Sequence, residues 1–133
     1  MNKKIFVFYP PSKLYQRGED RSQGNVEDSS ATTMRAPNDL GYASSTLKQK
    51  NYQVKLKDYQ SENLSFDVLK SDFEKFIPDV IFMSITNATI FGDLEIISEL
   101  IKDRPNTVVI LKGALFFNPD DEMLKLLPLE NID

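Results

Sequence analysis

The chain has 133 residues, 41% of them hydrophobic, and carries 20 Asp and Glu against 16 Lys and Arg for a net charge of −4. That is enough for one domain with a buried core, and the absence of a basic stripe argues against a nucleic-acid surface. With no Cys and no His, the chain lacks disulfides, a thiolate nucleophile, cysteine ligands for an iron–sulfur cluster, and the commonest general base and transition-metal ligand.

No apolar run approaches the roughly 20 residues that a membrane span needs. The opening Met1-Asn2-Lys3-Lys4 leads into a short strand rather than a signal peptide, so a cytoplasmic protein is expected. Lys3 to Tyr9 form that first strand, an apolar run stopped by Pro10-Pro11. From residue 12 to about residue 36 no periodicity holds. A connection of that length inside a domain reads either as a mobile flap over the carboxyl end of the first strand or as plain disorder.

Pro37-Asn38-Asp39 opens a helix that runs to about Lys50, with Leu40, Ala43 and Leu47 at helical spacing. Tyr52, Val54 and Leu56 then alternate with Gln53, Lys55 and Lys57. Alternation predicts a strand with one wet or half-covered face, hence an edge strand. Ser65 is the predicted cap of a second helix, whose Phe66, Leu69, Phe73 and Phe76 form an apolar stripe for core packing.

The centre of the pattern is Asp79 to Asn87. Val80 to Ile85 make a run too short for a helix, bounded by Pro78 and by Thr86-Asn87, which predicts a strand buried on both faces. A helix follows from about Phe91 to Asp103, then an apolar fourth strand at Val108 to Leu111. Asn118-Pro119-Asp120-Asp121 predicts the start of a last helix ending near Leu126 or Leu127. Alternating strands and helices give a parallel α/β sheet, and the edge-type second strand fits the flavodoxin-like, Rossmann-like three-layer order 2-1-3-4-5. The fourth strand is too apolar for an edge. Its fifth neighbour is missing or truncated near Ile132, so the chain reads as residues 1–133 of a longer protein.

The strand ends, where ligands bind in such folds, match several known chemistries poorly. A dinucleotide site needs a glycine-rich turn after the first strand, but Tyr9-Pro10-Pro11-Ser12 stands there. Asp58 matches a ribose-binding acid in position only and reads better as a turn residue. A phosphoacceptor domain needs an Asp where Ser84 stands. A flavin-phosphate loop would need its Ser and Gly next to the first strand. Asp120, Asp121 and Glu122 read as dipole partners rather than cation ligands.

The order of motifs resembles the N-terminal cobalamin-binding domain of radical S-adenosylmethionine enzymes. The matching pieces are the first strand running into Tyr9-Pro10-Pro11, then Arg35 to Ala43, where the family shows a proline-rich lead-in to Leu-Gly-Leu-x-Tyr-Leu-Ala, then Lys75 to Ser84, and Val108 to Gly113. The resemblance covers nearly the whole chain apart from residues 12–34. The resemblance implies a domain that positions a corrinoid over a radical-generating barrel in a methyltransferase or cyclase and is not itself catalytic. S-adenosylmethionine and a 4Fe–4S cluster would then belong to a downstream domain of the same chain. The cobalamin would be base-off, since no protein His can reach cobalt. The implied binding residues are Tyr9, Pro10, Leu40, Gly41, Ser84, Thr86, Asn87, Lys112, Gly113 and Ala114, with Lys112 standing in place of the family's first glycine. Small residues at the strand ends would let a planar ligand approach the backbone. A cofactor-free α/β interaction or scaffolding module, pairing through its fourth strand, is the alternative expectation, and a flavin or nucleotide binder a third.

Overall fold

A computed structural model describes residues 2–12, 15–17, 22–25, 36–86, 89–117, 120–129 and 132. In chain order the elements are β1 (Lys4–Tyr9), β2 (Tyr15–Arg17), β3 (Ser22–Asn25), α1 (Asn38–Gln49), β4 (Gln53–Asp58), α2 (Phe66–Phe76), β5 (Val80–Ser84), α3 (Ile90–Ile101), β6 (Val108–Lys112), a 3₁₀ turn (Ala114–Phe116) and α4 (Asp121–Lys125). The strands β1, β4, β5 and β6 form one sheet in the order β4-β1-β5-β6, and every pair in it is parallel. Numbered by their order along the chain, these four strands run 2-1-3-4. This is the flavodoxin-like α/β arrangement expected from the sequence.

Strand β1 sits centrally because Ile5 to Tyr9 are all buried, as a strand covered on both faces must be. The register Phe6↔Ile81 and Phe8↔Met83 puts the even residues of β1 on the face covered by α2 and α3. There Phe6, Phe8, Tyr59, Leu69, Phe73, Ile81, Met83, Leu94 and Ile97 form the larger core. The Phe6 and Phe8 rings lie 4.9 Å apart, and Tyr59 meets both edge-on, the arrangement that ring quadrupoles favour. On the other face Ile5, Val7 and Tyr9 pack with Leu40 of α1, flanked by Leu47, Val54, Val80 and Phe82.

Four expectations change in detail. Residues 12–36 include an antiparallel ribbon of β2 and β3; the remainder of a flap there lies outside the described residues. Pro37 is the residue before α1 rather than inside its first turn, and neither it nor Ser65 makes a side-chain capping bond. The cap of α4 is Asp120, whose carboxylate accepts from the Glu122 amide at 3.0 Å; the predicted Asn118-Pro119 start lies outside the described residues. The fourth strand, expected in the interior, ends the described sheet as β6, and Val108 and Ile110 are 40% and 46% exposed. Among the described residues α1 is the helix on that face, and the apolar run exceeds the cover that they supply.

Strand β4 is an edge, as its alternation predicted, and its polar face is half covered rather than wet. Lys55 and Lys57 project under α2, where the Asp72 carboxylate accepts from both ammoniums at 2.7 and 3.0 Å and from the Tyr59 hydroxyl at 2.7 Å. The ammoniums also lie over aromatic faces, Lys55 over Phe6 and Lys57 over Tyr59. Inward charges of this kind discourage edge-to-edge pairing. A second tie crosses the amino ends of the strands, where Asp79 accepts from the Lys4 amide at 2.8 Å and from the Lys3 ammonium at 3.3 Å. The backbone bond and the neighbouring ammoniums hold the Asp79 carboxyl below its usual range. Among the described residues no helix is long and apolar enough to cross a membrane.

Candidate functional site at the strand carboxyl ends

Four parallel strands put all their carboxyl ends on one side of the molecule, beside the amino ends of α1 and α3. Adjacent strands there carry Tyr9 and Ser84, both buried, with the Tyr9 hydroxyl 3.3 Å from Ser84 Oγ. Ser84 lies opposite Lys112 in the β5–β6 register. Pro10 is buried directly after Tyr9. Tyr9, Pro10, Ser84, Thr86, Lys112 and Gly113 thus sit at the ends of three neighbouring strands, although the first and last are more than a hundred residues apart in sequence.

The remaining expected residues divide. Leu40 is fully buried against β1 and works as core. Gly41 has open space where a Cβ would point, and its amide donates to the Pro37 carbonyl at 2.9 Å in the first turn of α1. Ala114 opens the 3₁₀ turn and is exposed. Asn87 lies outside the described residues.

Lys112 does not project freely. Its ammonium meets the Asp39 carboxylate at 2.6 Å, tying the end of β6 to the first turn of α1. Asp39 reads from sequence as a dipole partner only, because nothing in its neighbourhood signals a cation 73 residues away. Gly113 has extended backbone that any residue adopts, so its small size serves packing. A Cβ built on it would lie 2.8 Å from the Ile85 carbonyl oxygen, and the Ile85 amide donates to the Lys112 carbonyl at 2.8 Å. The ends of β5 and β6 are pressed together at this point. Bulk here displaces backbone.

The sequence reading passes over one further group. Asp93 in the first turn of α3 is 2% exposed, and its carboxylate accepts from the Thr89 hydroxyl at 2.6 Å. The Thr86 and Thr89 hydroxyls are themselves 2.9 Å apart. Burial pushes the Asp93 carboxyl up to about 6, against the opposing pull of the Thr89 hydroxyl and the nearby Thr86 amide. The only signal in the sequence is the Thr89/Asp93 spacing of four, which places both on one face of a helix start. Asp58, by contrast, behaves as the turn residue expected of it, accepting from the Ser61 amide at 3.1 Å.

An apolar hollow of about 240 Å³ lies apart from these groups, lined by Leu111, Phe116, Leu124, Leu129 and Ile132. It is smaller than the ~300–1,000 Å³ typical of ligand pockets and has no convergent polar side chains. Among the described residues no group of three or more acidic side chains is disposed to hold a metal ion. Comparison with known proteins returns no matching family model, no matching curated protein and no matching solved structure.

Proposed function

We propose that this chain is a corrinoid-positioning domain of a radical S-adenosylmethionine enzyme. The observation that carries the reading is the gathering of Tyr9, Ser84, Thr86, Lys112 and Gly113 at one end of a parallel sheet in the order 2-1-3-4. Of these, the motif resemblance names Ser84, Thr86 and Gly113, together with Ala114, for the cofactor's tail. The donor set is chemically suited to such a tail: hydroxyls at Ser84 and Thr86, and an ammonium at Lys112 for its phosphate. Entry along Lys112 requires it to leave Asp39. Both side chains are at least a third exposed, and an exposed ion pair contributes only about 0–1 kcal/mol, so its opening costs little. The approach beside Gly113 is filled by the Ile85 carbonyl, which directs the tail to the Ser84 and Lys112 side instead.

A bound corrinoid would supply cobalt-centred methyl-transfer or radical chemistry. The chain's own residues would hold and orient it and supply no acid, base or nucleophile; S-adenosylmethionine and the 4Fe–4S cluster would sit in a barrel domain of the same protein. The test is a titration of the purified chain with hydroxocobalamin, followed by absorbance. Saturable binding that weakens about tenfold in Lys112→Glu, through reversal of a charge facing the phosphate, is the expected result. No saturable binding by the unaltered chain overturns the proposal.

A second reading, a cofactor-free interaction module, is favoured by the exposed Val108 and Ile110 on the α1 face of β6. Concentration-dependent sedimentation together with no cobalamin uptake would select it.

A further inference from the structure

We infer that Asp93 is the positioning residue at the end of β5, seated so as to fix how Thr86 stands there. The geometry carries this. Asp93 belongs to α3, but the hydroxyl that donates to its carboxylate is that of Thr89, ahead of the helix, and the Thr89 hydroxyl is in turn 2.9 Å from the Thr86 hydroxyl. Two further bonds close the network: Thr89 N–H donates to the Thr86 carbonyl at 3.2 Å, and Asp93 N–H donates to the Thr89 carbonyl at 2.9 Å. Side chain and backbone of one residue thus hold Thr89 and, through it, Thr86.

An acid needed only for the helix dipole would stay in water, where most first-turn acids sit. Burying a carboxylate is unfavourable unless its hydrogen bonds are well satisfied, and here no cation offsets it. Among the described residues no ion pair reaches Asp93, and no Lys, Arg, Asp or Glu alters its ionisation. The facing groups are Thr89 on its own helix start and Thr86 in the loop. Thr86, so held, is one of the residues assigned above to the cofactor's tail, and to that extent the inference rests on the proposed function. Protonation leaves an acceptor oxygen but a weaker one than the carboxylate, so the hold should slacken in acid.

The experiment is amide NMR on the ¹⁵N-labelled full chain between about pH 4.5 and 7.5, the window in which a carboxyl raised this far titrates. The Thr86 amide shift should titrate with a midpoint near 6 in the unaltered chain and should be flat in Asp93→Asn, which keeps an acceptor oxygen. In Asp93→Leu the Thr86 and Thr89 amides should exchange at least about tenfold faster at pH 7 than in Asp93→Asn, with the β1 amides unaffected, as local opening requires. A Thr86 amide that does not titrate, or exchange equal in the two variants, overturns the inference. Hydroxocobalamin titration of the same samples separates the two claims: no uptake by the unaltered chain removes the proposed function, while the amide data decide the role of Asp93.

Discussion

Two carboxylates divide this molecule between them. Asp72 lies on α2 under the β4 edge, ringed by Lys55, Lys57 and Tyr59. Asp93 lies at the carboxyl end of β5, with a hydroxyl donor, a nearby backbone amide and no cation. Burial acts on both in the same direction. At Asp72 the hydrogen bonds and charge of the lysines, with the Tyr59 hydroxyl, overcome it and hold the carboxyl well below its usual range. At Asp93 burial wins. Tyr59 answers accordingly: burial, the bond to Asp72 and that residue's charge all push its hydroxyl far above the ordinary phenol range. The Asp72 cluster spends three polar side chains on closing a sheet edge, whereas the Asp93 cluster fixes Thr86 at the end where ligands bind in this fold.

The comparison breaks most visibly at Asp72. Replacing it by Ala strands two half-buried ammoniums and a buried phenol, and should cost about 2–3 kcal/mol in denaturant unfolding, below the full value for a deeply buried pair because Lys55 and Lys57 retain some water. A loss under about 0.5 kcal/mol would mean that the edge lysines are solvated after all. Asp93→Asn should act in the opposite direction. The raised carboxyl, from 3.8 to about 6, corresponds to a burden of up to about 3 kcal/mol on the charged form. The variant should therefore gain about 1–2 kcal/mol at pH 7, after an imperfect amide replacement, and nothing near pH 4.

The pH dependences differ in sign. The folded state holds the Asp93 proton more tightly than the unfolded chain does, so this group makes stability rise as pH falls from above 6 towards 4. Asp72 is depressed, so its contribution is present above about pH 4 and is lost as acid titrates the folded form. Unfolding free energies measured across that range should lose the first arm in Asp93→Asn and the second in Asp72→Ala.

Smaller effects sharpen the contrast. Tyr59→Phe removes one hydrogen bond to a charged acceptor while keeping the ring packed on Phe6 and Phe8, and should cost about 1 kcal/mol by denaturant midpoint. Lys112→Ala breaks an exposed pair and should change stability by less than about 0.5 kcal/mol. A larger loss would make the Lys112–Asp39 contact structural rather than an openable tie across the site.

The sheet is legible in the linear chain because burial on two faces leaves a mark that needs no partner to be read. Ile5 to Tyr9 and Val80 to Met83 are unbroken apolar runs, and a run flanked by helical patterns has few places to go except a covered parallel sheet. The strand order followed from β4 alone, whose alternation marks an edge. What that alternation meant did not follow. Lys55 and Lys57 look like the wet side of a strand until α2 brings Asp72 over them, because an ion pair depends on distance in space and leaves no periodicity. The same holds for Lys112 and Asp39, joined across 73 residues, and for Gly113, whose constraint is the Ile85 carbonyl rather than its own dihedral angles. Asp93 is the sharpest case. In the chain it is one more acid in a first helical turn, and only the packing of α3 and the β5 loop against the sheet takes it out of water. Periodic apolar runs carry the architecture because the hydrophobic effect adds up along a segment. Single polar residues acquire their roles only when tertiary packing sets their solvent and their partners.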